Sequence, residues 1–101
     1  MKGFNKADLE QAVRYDENSP TGLVWVDNNY GTAGEVAGVV PEYRDTPFIY
    51  YYGSKVSTAL VVWVLHGRTT TKGTSLAAKD GNLHNVRIEN LQEVVLYQNP
   101  L

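Results

Sequence analysis

The chain reads as an α+β domain on three observations: a capped helical stripe opens it, short β-branched and aromatic runs fill its middle, and an Asn/Gly/Asp loop between two extended arms closes it. Gly, Pro and Asn turns separate the middle runs, as in small antiparallel sheets. At 101 residues and 43% hydrophobic, the chain suits one compact domain with a modest core.

Asn5 is placed to cap the first helix, with Asp8 at its third position, where a carboxylate favours the positive end of the helix dipole. Phe4 and Leu9 are spaced as a hydrophobic staple. Leu9, Ala12 and Val13 continue an apolar stripe at helical spacing, which predicts a helix ending near Arg14 or Tyr15. The cluster Asp16 to Gly22, DENSPTG, breaks it.

Gly22 to Val26 reads as a strand, and Asp27 to Gly34 as a polar loop. Glu35 to Val40 predicts a short strand in which Gly38 signals a bulge or a close backbone approach. After a loop from Pro41 to Pro47, Phe48 to Tyr52 is a strand, Gly53-Ser54 a two-residue turn, and Lys55-Val56-Ser57 the returning partner. Alternation puts Tyr50 and Tyr52 on one face and Tyr51 on the other. One reading places an aromatic face in the core; the other makes it a contact surface, since tyrosine offers area and a hydroxyl at little entropy cost.

For Thr58 to His66 the residues leave two readings open. Val61, Val62 and Val64 favour a strand, whereas Ser57 or Thr58 as a cap and Gly67 after Leu65-His66 favour a helix. Arg68 to Thr74, RTTTKGT, is a basic, hydroxyl-rich connection that suits either phosphate oxygens or plain solvent. Gly81 supplies a left-handed turn residue and Asn82 tolerates one. A strand, a tight turn with a polar loop and a second strand through Val94-Val95-Leu96 follow.

The absence of cysteine excludes disulfides, thiolate zinc sites and cysteine nucleophiles. The N-terminus MKGFNKADLE has no apolar signal region, and the longest apolar run, Ala59 to Leu65, is too short to cross a bilayer. A soluble, non-secreted, cytoplasmic protein with no membrane partner is expected. The net charge of -2 is divided unevenly: residues 1 to 50 hold four cations against eight carboxylates (-4), residues 51 to 101 five against three (+2). If DNA is touched, the C-terminal half should touch it.

The segment Thr74 to Asn99, TSLAAKDGNLHNVRIENLQEVVLYQN, resembles the catalytic segment of phage-type HNH homing endonucleases. That segment runs Asp-His, one residue, an Asn/Asp-Gly-Asp/Asn loop, a polar stretch, Arg-Ile-Glu-Asn-Leu and a final Asn nine residues beyond. Here the loop Lys79 to Asn82 and the run Arg87 to Leu91 are present, and Asn99 falls at the last position. Tyr15 to Trp25, YDENSPTGLVW, is similar to the family's opening turn and Trp strand, and Trp63, His66 and Gly67 match its central helix. The resemblance implies one domain over 1-101. In it a sheet-plus-helix part (1-67) is followed by a ββα-metal-like hairpin (68-101). It makes Thr58 to His66 a helix packed on a small antiparallel sheet. The last helix is expected to be truncated, because Pro100 and Leu101 directly follow Asn99.

The departures from the family concern chemistry. In the resembled enzymes the His is the general base and the Asp and final Asn hold a divalent metal, but Ala77 and Ala78 stand at the Asp-His pair here. A methyl group neither takes a proton nor binds a hard cation. Ala59 and Leu60 likewise replace a polar His-Arg pair near the family's catalytic centre. The implied protein is a catalytically degenerate phage member, with no catalytic residues and no cofactor. Asn99 is a vestigial metal position, and a divalent metal enters only if the site is restored.

Asn90 matches the middle Asn of the motif, whose implied role is to pin the loop through hydrogen bonds; it is expected to be buried and bonded. Neither histidine matches a catalytic position: His66 is expected to favour a helix C-terminus, His84 to lie on a loop, and Asp80 and Glu89 on the surface. Three functions compete. The first is non-catalytic binding of double-stranded DNA through Lys55, Arg68, Lys72, Lys79 and Arg87, with Asn82 and Asn85 as polar contacts. The second is a small phage factor that binds a host bacterial protein through its acidic, tyrosine-rich half. The third is a nuclease inactivated by introduced alanines at 77 and 78.

Overall fold

A computed structural model of the chain describes residues 4–42 and 46–95. Its order is α1 (Lys6–Leu9), β1 (Val13–Tyr15), β2 (Leu23–Trp25), β3 (Phe48–Tyr51), β4 (Ser54–Ser57), α2 (Thr58–Leu65), β5 (Thr74–Ala78) and β6 (Leu91–Val95). Three antiparallel hairpins, β1-β2, β3-β4 and β5-β6, stand with two helices, an α+β fold. Asn99, Leu96 and the truncated last helix lie outside the described residues.

Asn5 caps α1 as expected, its Oδ1 accepting from the Asp8 N–H at 2.9 Å while its Nδ2 donates to the Asp8 carboxylate at 2.9 Å. The helix ends at Leu9, however, and does not reach Arg14 or Tyr15. Val13 to Tyr15 pair instead with Trp25 to Leu23, and the Val26 N–H donates to the Ala12 carbonyl at 2.9 Å. Two β-favouring side chains, Val13 and Tyr15, gain a strand partner there. Leu9, Ala12 and Val13 are all buried by this route too, so the apolar spacing could not distinguish one helix from a turn plus a strand. Phe4 meets Tyr51 edge-on at 6.1 Å.

The expected strand over 35–40 is reduced to two isolated bridges, Val24 with Val36 and Val39 with Phe48. These stitch the first hairpin to the second. Thr21, fully buried, adds a hydrogen bond from its hydroxyl to the Ala37 carbonyl at 2.6 Å. The close approach expected at Gly38 is present: a Cβ there would stand 2.6 Å from the Phe48 carbonyl oxygen.

In the β3-β4 hairpin the two-residue turn is Tyr52-Gly53, one residue earlier than Gly53-Ser54, because Tyr51 pairs with Ser54. Both turn residues have positive φ, 51° and 80°, the mirror-image turn that matches strand twist. Tyr52 therefore leaves the strand and projects from its tip.

Helix α2 settles the open choice at 58–66 for helix. Gly67 at φ 77° closes it, with the Arg68 N–H donating to the Trp63 carbonyl at 3.2 Å and the Gly67 N–H to Val64 at 2.9 Å, a Schellman stop. Thr58, Ala59, Val61, Val62 and Trp63 are buried. Each buried valine contributes roughly 1.5–3 kcal/mol by leaving water, which outweighs its modest helix penalty of at most about 0.7 kcal/mol. Val86 and Leu91 join the same core as Leu9, Leu23 and Val62, so the 1–67 and 68–95 parts share one interior. Among the described residues no helix is long and apolar enough to cross a membrane.

Candidate functional site

The β5-β6 hairpin carries the segment singled out by its motif. Thr74 to Ala78 pair with Val95 to Leu91, which places Ala77 opposite Gln92 and Ala78 opposite Leu91. Both alanines are half-buried strand residues. Between the strands, residues 79 to 90 form a loop held by its own side chains.

Asn90 is the pin, and it is buried. Its Nδ2 donates to Asp80 Oδ1 at 3.0 Å and to the Asn85 carbonyl at 2.8 Å, while its Oδ1 accepts from the Asp80 N–H at 3.2 Å. The Asn90 carbonyl also accepts from the Lys79 N–H at 2.7 Å. A carboxamide both donates and accepts, so one side chain ties the start of the loop to its end.

Asp80, expected as a surface residue, proves to be the loop's hub as well as exposed. Besides Asn90, its carboxylate accepts from the Asn82 N–H at 2.8 Å and from Asn85 Nδ2 at 3.1 Å. These bonds, first the Asn82 amide, then Asn85 and Asn90, hold its pKa below the ordinary 3.8. Sequence reasoning missed it because it scored Asp80 against the family's chemistry; the Asp-x-Asn spacing of an Asx turn was the signal available. Glu89 is exposed on a single 3-10 turn, Ile88–Asn90.

Asn82 and Asn85, expected as DNA contacts, are engaged within the loop: Asn82 Oδ1 accepts from the His84 N–H at 3.0 Å, and Asn85 Oδ1 from the Arg87 N–H at 3.5 Å. Their visible work is to shape the loop. The Ile88 N–H donates to the Tyr15 hydroxyl at 3.2 Å, docking the loop onto β1. His66 stands where expected, at the end of α2, its Nδ1 donating to the Val62 carbonyl at 2.7 Å and its ring edge-on to Tyr15 at 4.7 Å.

The cations divide into two sets. Lys55 lies over the Phe48 ring at 4.2 Å and Arg68 over Trp63 at 4.9 Å. Lys72, Lys79 and Arg87 are exposed, and the one ion pair among the described residues, Arg14 with Asp16 at 4.0 Å, involves none of them. None of these three cations is in an ion pair among the described residues.

A groove of about 370 Å³ runs between the start of α2 and β5. Its walls are the hydroxyl residues Thr46, Ser57, Thr70, Thr74 and Ser75 and the apolar Ala59, Leu60, Leu76 and Leu83. No wall residue can exchange a proton near neutral pH. Among the described residues no three His, Asp or Glu side chains converge as a metal site would require.

Glu93 on β6 braces the other end of the hairpin, accepting from the Thr74 hydroxyl and the Thr71 N–H, each at 2.6 Å. These bonds hold its pKa below the ordinary 4.5. For both carboxylates the folded pKa is depressed. Their contribution to stability is therefore present above the unfolded values of 3.8 and 4.5 and is lost as pH falls through the lower folded values. Asp80→Asn/Glu93→Gln is expected to be less stable than the parent at neutral pH and to lose less of its remaining stability on acidification. Urea midpoints by circular dichroism from neutral to acid pH measure this, and parallel pH profiles for the two proteins would refute it.

Compared with protein-family models, curated proteins and solved structures, the chain finds no match.

Proposed function

We propose that this chain is a non-catalytic, HNH-endonuclease-like phage protein that acts in the host bacterial cytoplasm and binds double-stranded DNA without cleaving it. The supporting observation is a set of three exposed cations that make no ion pair among the described residues: Lys79 and Arg87 on a loop braced by Asp80 and Asn90, and Lys72 at the other end of the hairpin. Uncommitted cations on a stiff hairpin suit phosphate oxygens, since little side-chain or loop order is lost on contact. Methyl groups at 77 and 78 leave that hairpin able to hold a phosphate but not to activate water against it.

Fluorescence anisotropy with a labelled duplex tests the proposal. Binding is expected at low salt, with log affinity falling against log salt at a slope of about -0.9 for each phosphate neutralised. Lys79→Ala/Arg87→Ala is expected to weaken binding evenly across sequences and to reduce that slope by about two. No binding to any duplex at low salt, or strand cleavage by the parent protein with magnesium, would overturn it.

A further inference from the structure

The exposed apolar side chains are gathered in the N-terminal half of the chain. Phe4, Val26, Tyr30, Val36, Val39, Val40, Tyr50 and Tyr52 are all exposed, against Val95 alone in the rest of the described chain. Within this half, five rings form a continuous row. Trp25 and Tyr30 stack at 6.0 Å, Tyr30 meets Tyr52 at 6.0 Å, Tyr52 meets Tyr51 at 4.7 Å, and Tyr51 meets Phe4 at 6.1 Å. At full stretch such a row matches roughly seven residues of extended chain.

Two local devices shape the row, in which Phe4, Tyr30 and Tyr52 are exposed and Trp25 and Tyr51 are half-buried against the core. The Tyr52-Gly53 turn carries Tyr52 off the strand at φ 51°, 54% exposed. Gly31 lets the loop lie against Trp25, since a Cβ there would collide with the indole ring. Holding a large aromatic in a left-handed turn conformation is costly, and the Tyr52 side chain gains no core burial in return.

Charge selects the occupant. An exposed row of rings in a basic groove would stack nucleobases. Here the described residues from 4 to 52 hold two cations, Lys6 and Arg14, against seven carboxylates, a balance of -5, and the cations Lys6 and Arg68 stand only at the Phe4 end, where they line one pocket with that ring. Asp8 lies near one ring of the row: burial first and then its carboxylate raise the Tyr51 pKa. At the other end, Asp27 opens the turn that carries Tyr30, accepting from the Asn29 N–H at 3.0 Å. Aromatic faces in a negative field attract guanidinium and ammonium groups and repel phosphate.

We propose that the Trp25–Tyr30–Tyr52–Tyr51–Phe4 row is a docking surface for an extended arginine- and lysine-rich segment of a protein partner, separate from the DNA-facing hairpin. The exposed rings of the row, Tyr30, Tyr52 and Phe4, receive the cationic side chains, and Asp8 and Asp27 supply the charge at its two ends.

The test is anisotropy with a labelled peptide of alternating arginine and serine, with glutamate-serine and leucine-serine peptides as controls. The arginine peptide is expected to bind saturably and at least about tenfold tighter than either control. Tyr30→Ser/Tyr52→Asn, in which Asn suits the left-handed turn, is expected to weaken it about tenfold while leaving duplex binding unchanged. If that variant does not fold, peptide-induced NMR shifts on the intact protein must centre on Tyr30 and Tyr52. Equal binding of the leucine peptide, an unaffected double variant, shifts centred elsewhere, displacement by a single-stranded oligonucleotide, or a dimer of the protein that the double variant dissolves would each overturn the proposal. Loss of duplex binding by Lys79→Ala/Arg87→Ala leaves it standing, because no ring of the row is altered.

Discussion

Asn90→Ala is expected to lower the thermal midpoint by about 10–20 °C, the scale set by a loss of about 2–3 kcal/mol in a domain of this size. The substitution removes three hydrogen bonds, two donated by Nδ2 and one accepted by Oδ1. Each carries a net of about 1 kcal/mol, and they act together on one loop. Water can reach exposed Asp80, which recovers part of the loss, but not the buried space the amide filled. Asn90→Asp sharpens the test. It replaces the Nδ2 that stands 3.0 Å from Asp80 Oδ1 with an oxygen, which at neutral pH sets two carboxylates against each other. That variant is expected to be less stable than Asn90→Ala at neutral pH and to regain ground in acid as one carboxyl protonates. Differential scanning calorimetry at two pH values measures both. A shift under about 3 °C for Asn90→Ala would mean that the loop does not depend on its pin.

On the proposed function, duplex binding is tied to the same residue. Lys79 precedes Asp80 and Arg87 follows Asn85, so both cations are mounted on the segment that Asn90 closes. A loop set free keeps its charges but must be ordered again on binding, which costs affinity without removing a phosphate contact. Asn90→Ala is therefore expected to weaken duplex binding with an unchanged salt slope, whereas Lys79→Ala/Arg87→Ala changes the slope itself.

Local chemistry was the legible part of this sequence. The cap at Asn5, the stop at Gly67 and the left-handed Gly81 each follow from one residue type meeting one backbone need, whereas the pin at Asn90 was expected from the resemblance. Partner choice was not legible. Leu9, Ala12 and Val13 satisfy helical spacing, yet Val13 is claimed by Trp25, a residue twelve positions away that no local pattern reveals. Similarly, the turn after Tyr51 moved by one residue because cross-strand register, set by Ile49 against Val56, decides where a hairpin closes. Alternation separated Tyr51 from Tyr50 correctly, since only Tyr51 packs on the core. The role of Asp80 was only half legible: its bond from the Asn82 N–H is local, but the others come from Asn85 and Asn90, whose approach depends on the loop already being folded.

The stitch between the two N-terminal hairpins bears the other large effect. Gly38→Ala is expected to cost about 3–5 kcal/mol, taking backbone strain and forced packing together. Gly38 sits at φ 95°, where an L side chain is strained even in open space. An added Cβ would also stand 2.6 Å from the Phe48 carbonyl oxygen and 3.3 Å from Thr58 Cγ2. That carbonyl accepts the Val39 N–H at 2.8 Å, and the Phe48 N–H returns a bond to Val39 at 3.0 Å. Relief by moving Phe48 therefore breaks the bridge joining the hairpins, and Thr58 at the buried start of α2 has no room to retreat. Gly34→Ala is the internal control: its φ is 85°, but nothing lies within 4 Å of the new Cβ, so it should lose only the strain, about 1–2 kcal/mol. Urea unfolding of the two variants separates the terms. Equal losses would show that the Val39–Phe48 bridge yields freely, and the two hairpins would then have to be held together by the side-chain core alone.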